Sequence, residues 1–232
     1  GNESSHLLLN QTIPSPIEFR PQMQQSTVPD PSFGPDGFYD SGQRLGSGYS
    51  TGVSVGDLDA DGDPDVLVAS SSGDAPWIYW NDGSSKFTAE RLQAEISLNN
   101  TNQTAIADLD GDGDLDLFLA RYNAAADLVL LNDGDGNFQL TQDRLGSAAS
   151  SNVALGDLDG DQDLDAWVTN RKGSDMVWLN DGTGHFVDSG QRLDDPPSPI
   201  SGIALADFDQ DGDLDAFVSN RSTQPFTRVF WN

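Results

Sequence analysis

The sequence predicts an all-β fold made of four repeated units, each of four short antiparallel strands. Three observations carry that prediction. One acidic segment recurs four times at a nearly constant interval, an Asn-Asp-Gly turn recurs between the copies, and no stretch shows the apolar period of a helix.

The acidic segments are GDLDADGDPDVLVAS from Gly56, ADLDGDGDLDLFLAR from Ala107, GDLDGDQDLDAWVTN from Gly156 and ADFDQDGDLDAFVSN from Ala206. Their leading aspartates, Asp57, Asp108, Asp157 and Asp207, lie 51, 49 and 50 residues apart. The third copy shows how each strand is read. Asn152 to Leu158 alternates into the acidic loop, and Asp165 to Thr169 follows as an apolar strand. Met176 to Leu179 is the third strand, ended by the turn signal Asn180-Asp181-Gly182, and Phe186 to Leu193 is the fourth. The same turn stands at Asn81-Asp82-Gly83 and Asn132-Asp133-Gly134, with Phe87 and Phe138 opening the next strand. Arg-Leu pairs at 44–45, 91–92, 144–145 and 192–193 mark the fourth strands. Four-stranded units at a period of about 50 residues are the pattern of β-propeller blades.

The periodic region is residues 33–232, and residues 1–32 form a Pro-, Gln- and Ser-rich extension. The last repeat stops at Asn232, where the other copies continue into Asp-Gly and the Phe strand. The missing piece stands at the other end: FYDSGQRL at 38–45 nearly duplicates FVDSGQRL at 186–193. A ring closed by pairing Phe38–Leu45 with Thr227–Trp231 is therefore expected, since closure removes free sheet edges. A segment of a longer array, or two chains sharing one eight-bladed ring, would keep the same phasing.

Within each acidic loop, carboxylates alternate: Asp57, Asp59, Asp61, Asp63 and Asp65; Asp108, Asp110, Asp112, Asp114 and Asp116; Asp157, Asp159, Asp161, Asp163 and Asp165; Asp207, Asp209, Asp211, Asp213 and Asp215. Five carboxylates in nine residues repel one another unless a cation gathers them. Hard oxygen donors in that number suit Ca²⁺, up to four ions at one per repeat, and the absence of Cys with only two His argues against zinc or copper. Position 6 is Gly in three loops, as a left-handed turn requires, but Gln162 in the third, so the third site is expected to be the weakest or slightly reshaped. Position 12 carries an apolar strand residue where an EF-hand has Glu, so the loop joins two strands.

These D-x-D-x-D-G-x-x-D segments resemble the FG-GAP/VCBS propellers, including the calcium-binding blades of integrin α chains. The resemblance covers residues 33–232. It implies calcium between the first and second strands of each blade, with any ligand meeting the opposite face.

No nucleophile–base pair, phosphate loop or nucleophile elbow is present, so no catalytic residue is assigned. Arg121, Arg171 and Arg221 recur just after the second strands. They read as a cationic ligand face or, more simply, as structural pairing partners. Trp80, Trp178 and Trp231 lie on third strands and read as core, whereas the aperiodic Trp77 is the better candidate for exposed stacking. Sequons at Asn2, Asn10, Asn99, Asn102 and Asn220 lie in the extension or in expected loops and would suit a secreted glycoprotein.

The formal charge of −27 disfavours nucleic acid as a partner, and no apolar run is long enough to insert in a membrane as a helix. The chain starts at Gly1 without Met, which reads as a trimmed product. Leu7, Leu8 and Leu9 stand out in the polar extension, which could donate a strand to a protein partner or another copy. The favoured function is an extracellular, secreted or surface-attached, calcium-binding adhesion or assembly module, including a filament subunit. The alternatives are a glycan-binding, lectin-like propeller and, behind it, a polysaccharide-active enzyme.

Overall fold

The computed structural model describes residues 38, 40–46, 48–71, 73–123, 125–193, 200–220 and 227–232. Contacts divide the chain into two units, Gly1–Arg44 and Leu45–Asn232. Among the described residues the second holds fifteen strands in four antiparallel sheets, the blades of an all-β propeller.

Blade 1 comprises β1 (Ser50–Gly56), β2 (Asp65–Ser70), β3 (Trp77–Asn81) and β4 (Phe87–Arg91). Blade 2 comprises β5 (Thr101–Ala107), β6 (Asp116–Arg121), β7 (Leu128–Asn132) and β8 (Phe138–Leu140). Blade 3 comprises β9 (Ser150–Gly156), β10 (Asp165–Asn170), β11 (Asp175–Asn180) and β12 (Phe186–Leu193). Blade 4 comprises β13 (Ile200–Ala206), β14 (Asp215–Asn220) and β15 (Arg228–Phe230). Strand order follows chain order in every sheet, so each blade is a simple meander.

The second strands run apolar without alternation because both faces are covered. Leu67, Phe118 and Trp167 occupy one register position and point towards the following blade. The flanking positions, Leu117 and Leu119, Ala166 and Val168, Ala216 and Val218, point back at the preceding blade. Three cores result. Leu67 and Ile78 meet Leu117, Leu119, Leu128 and Leu130. Phe118 and Val129 meet Ala166, Val168 and Trp178. Trp167 and Val177 meet Ala216, Val218 and Phe230. The first strands stack in series, β1 on β5, β5 on β9 and β9 on β13, with no packing of comparable extent between β13 and β1.

The expected closing strand is not formed among the described residues: the fourth sheet ends at β15, and residues 38 and 40–46 form no strand. Residues 40–44 are instead folded on themselves. Asp40 Oδ1 accepts the Gly42 N–H at 2.8 Å, and the Arg44 guanidinium donates to both Asp40 oxygens. Residues 186–193, which do form a fourth strand, share this internal bonding, with Gly190 N–H and Arg192 both donating to Asp188. Gly42 and Gly190 have φ of 79° and 80°.

The third-strand tryptophans are not equivalent. Trp80 and Trp231 each follow the residue that pairs with the first apolar position of the second strand, whereas Trp178 is itself that residue. Trp178 is therefore buried between blades 2 and 3, while Trp80 packs partly buried beside the first core. Trp231 is 62% exposed, a correction to its expected place in the core: it has no following blade against it.

Candidate metal centres

Each acidic loop joins the first and second strands of its blade and is shaped by its own carboxylates. Asp57 Oδ2 accepts the Gly62 N–H at 3.0 Å, Asp59 Oδ1 accepts from Asp61 and Asp61 Oδ1 accepts from Asp63. The second, third and fourth loops repeat this ladder, with Asp108, Asp157 and Asp207 taking the position-6 N–H. The ladder curls the segment so that alternate side chains turn inward.

The last aspartate clamps the loop to the sheet. Asp65, Asp116, Asp165 and Asp215 are buried. In each, Oδ2 accepts the N–H of the residue after the leading Asp, at 2.9, 2.8, 2.8 and 3.0 Å. Each Oδ1 accepts the N–H of the third-strand Asn, Asn81, Asn132, Asn180 or Asn232. Two backbone donors hold each carboxylate in place, which fixes where its remaining lone pairs point.

Carboxylate oxygens converge in every loop. Those of Asp57, Asp59 and Asp61, of Asp108, Asp110 and Asp116, of Asp157, Asp159 and Asp165, and of Asp207, Asp209 and Asp215 come within 4.8 Å of one another. Like charges at that spacing cost roughly 3 kcal/mol per pair at an effective dielectric of 20. The titration behaviour follows. Burial first, and neighbouring carboxylates after it, hold Asp59, Asp65, Asp110, Asp159, Asp165 and Asp209 above the ordinary carboxylate range and push Asp116 up to about 6.

The donor set fits a hard divalent cation. Every converging atom is a carboxylate oxygen, and Asp57 Oδ1 is buried with no hydrogen-bond partner. Of the twenty expected ligands, these twelve are brought together. Asp112, Asp161 and Asp211 each accept the position-7 N–H, as Asp61 does in the first loop. Asp63, Asp114, Asp163 and Asp213 donate their N–H to it, and the carboxylates of Asp114 and Asp163 lie over the Asn-Asp-Gly turn. A Cβ on Gly134 or Gly182 would come within 2.6 Å of them, which explains Gly in that turn beyond its φ.

The third loop is not reshaped by Gln162. Its φ of 80° matches the left-handed turn of Gly62, Gly113 and Gly212, and its N–H reaches Asp157 Oδ2 at 3.0 Å. The turn is kept and the strain is stored in the residue. Position 4 is left-handed as well, at Ala60, Gly111, Gly160 and Gln210, a second requirement that the mixed residue types there conceal.

Sequence reasoning missed the role of the third-strand Asn as an inter-blade staple. Asn132 Nδ2 donates to Leu58 O in the preceding blade's loop at 2.8 Å, Asn180 to Leu109 O at 2.8 Å and Asn232 to Leu158 O at 2.9 Å. The repeated Asn was visible, but its reach across some seventy residues was not. Also missed were Asp127 and Asp175, buried at the starts of the third strands, which accept the N–H of Arg121 and of Asn170. Burial pushes Asp127 up to about 7.

The other expected site residues divide. Arg121 is half-buried and donates to the carbonyls of Ser97, Asn99 and Ala126, so it serves the scaffold. The exposed Arg171 lies over the Tyr122 ring at 5.1 Å. Trp77 is partly buried, stacked on Tyr79 with the Arg91 guanidinium 4.7 Å from its ring centre. Asn99 precedes β5. Asn102 lies within β5, not in a loop, and its amide donates to Ser151 O at 2.7 Å, leaving a poor glycan acceptor. Asn2, Asn10 and Arg221, together with the Leu7–Leu9 run, lie outside the described residues, as does the side chain of Asn220. Among the described residues no helix is long and apolar enough to cross a membrane.

The FG-GAP-like repeat model matches three overlapping stretches, 57–119, 108–168 and 157–218. No curated protein sequence matches the chain. Among solved structures, the chain is similar to an Agrocybe aegerita lectin that recognises non-reducing terminal N-acetylglucosamine, at 23% identity and a TM-score of 0.49, over 75% of this chain and 50% of that one. It is also similar to BBS1N, solved in complex with ARL6DN, at 14% identity and a TM-score of 0.47, over 79% and 54%. The chain thus spans about half the length of these structures.

Proposed function

The chain belongs to the FG-GAP-like repeat family, and on that premise we propose that it is a calcium-binding propeller acting outside the cell as a non-catalytic adhesion or assembly module. The observation that carries this reading is the convergence of carboxylates in all four first-to-second-strand loops. Calcium would be held by Asp57, Asp59 and Asp61 in the first loop and by the leading, third and ninth residues of the others. When bound, the ion supplies charge neutralisation. The protein supplies a clamped cradle: Asp65, Asp116, Asp165 and Asp215 tie each loop to its sheet, so a filled site stiffens a blade.

The extracellular part of the reading is supported by a general expectation about such sites. Sites of extracellular modules fill at roughly 10⁻⁴–10⁻³ M calcium, a level available outside cells. The non-catalytic assignment rests on the roles already taken: the converging carboxylates serve the loops, and the buried Asp127 and Asp175 hold backbone donors.

Calorimetric titration of the demetallated chain with calcium tests the proposal. Four binding events per chain are expected, and Asp108→Asn with Asp110→Asn should remove one while leaving three. No binding at millimolar calcium would overturn it.

A further inference from the structure

The third-strand asparagines staple neighbouring blades, and the groups they bind belong to the acidic loops themselves. In blade 3 the Asn180 backbone N–H donates to Asp165 Oδ1. The Asn180 carboxamide donates to Leu164 O beside it and to Leu109 O across the blade junction. Asp165 is one of the converging carboxylates of the third loop. Leu109 stands between Asp108 and Asp110, two converging carboxylates of the second. One residue therefore ties the oxygen donors of one loop to those of the loop before it.

The tie continues in both directions. Leu109 N–H donates to Asp116 Oδ2, and Asp116 Oδ1 accepts the Asn132 N–H. Asn132 Nδ2 donates in turn to Leu58 O, between Asp57 and Asp59 of the first loop. Towards the fourth loop, Leu158 N–H donates to Asp165 Oδ2 and Leu158 O accepts from Asn232 Nδ2. The Asn232 N–H then donates to Asp215 Oδ1. An unbroken run of hydrogen bonds of 2.8–3.0 Å thus passes through all four loops. At the first two junctions its members are buried: Leu58, Asn132, Asp116, Leu109, Asn180 and Asp165 are no more than 6% exposed. At the third junction Asn232 is exposed. A buried link has no water to replace it when broken, so movement at one end is felt at the other.

We propose, on the reading of these loops as calcium sites, that the asparagine relay couples them, so that filling one loop pre-orders the next. Without a cation, Asp108 and Asp110 repel each other and the Leu109 peptide between them is free to shift. An ion on those two carboxylates fixes that peptide. The fixed Leu109 carbonyl holds the Asn180 carboxamide, and Asn180 holds Asp165 in the third loop. The third loop then binds without meeting its full ordering cost. The coupling is reciprocal, as any coupling of binding free energies must be. It is stronger at the two buried junctions than at the third, where water can stand in for the Asn232 amide. Direct repulsion between neighbouring ions has the opposite sign, and salt at about 0.15 M screens it beyond roughly 8 Å. Asn132, Asn180 and Asn232 are positioning residues, acting on the ion through the carboxylates and peptides they hold.

Calorimetric titration of the demetallated 232-residue chain with calcium, in physiological salt, tests this. Filling should be sigmoidal, with a Hill coefficient above one. Disabling the second loop as Asp108→Asn with Asp110→Asn should weaken its neighbours by about fivefold or more. Asn180→Ala should lower the Hill coefficient while four ions still bind. Asn102→Ala removes a different hydrogen bond between the same two blades, to Ser151 O, at the end of β5 away from the loop. It should lower the melting temperature and leave the Hill coefficient as it was. Four sites that fill hyperbolically, or with falling affinity, overturn the relay and leave calcium binding standing. A Hill coefficient that Asn102→Ala lowers as far as Asn180→Ala does overturns the relay too, since any loosened blade contact would then suffice. No binding at millimolar calcium overturns both the relay and the calcium reading beneath it.

Discussion

Individual residues set the loop geometry, and Gln162 and Asp127 expose it to measurement. A non-glycine residue in the left-handed region costs on the order of 1 kcal/mol or more. Gln162→Gly should therefore raise stability by about 1 kcal/mol in chemical denaturation and tighten calcium binding at the third loop, whereas Gly113→Gln should do the reverse. Asp127 concerns pH. Its folded pKa of about 7 stands above an unfolded value near 4, so ionising it opposes folding. That opposition is absent below about pH 4, grows towards pH 7 and is complete above it. Asp127→Asn keeps an acceptor for the Arg121 N–H and removes the charge, so the variant's melting temperature should gain on the wild type more at pH 8 than at pH 4. The left-handed turn at position 6 was legible from three glycines. The buried Asp127 was not, because one Asp ahead of an apolar strand looks like any loop carboxylate.

Elements were the most legible scale, since turn chemistry and apolar runs are local. The third copy's strands stand within a residue or two of their expected bounds, and the Asn-Asp-Gly turns end β3, β7 and β11. What locality hid is which face of each strand meets which neighbour: Trp178 lies within β11 and is buried, whereas Trp231 stands one residue past β15 and is exposed. The staple shows the cost of that blindness. Asn180 Nδ2 bridges Leu109 O and Leu164 O, at 2.8 and 3.2 Å. Removing it as Asn180→Ala leaves a buried carbonyl without a donor, which costs about 1–3 kcal/mol. Equilibrium unfolding should show that loss, and Asn81→Ala, whose amide has one acceptor among the described residues, should lose less.

At the scale of the whole molecule, a chain of charge −27 must gather its carboxylates to stack four sheets. The repeat period announced the blades because it is a global regularity printed in one dimension. Closure was not legible in the same way. Residues 38–45 nearly duplicate 186–193, but the curvature between blades comes from side-chain packing that no period encodes. Calcium, once bound, would hold the array together. With free calcium tenfold above Kd, each site contributes about 1.4 kcal/mol, and four together contribute about 6 kcal/mol. That rivals the ~5–15 kcal/mol net stability of an ordinary domain. The most direct measurement is thermal unfolding of one preparation in millimolar calcium and again after chelation with EDTA. The account predicts a fall in melting temperature of ten degrees or more, on the order of what ~6 kcal/mol moves in a chain of this size, restored by adding calcium back. Superimposable melting curves in the two conditions would contradict it.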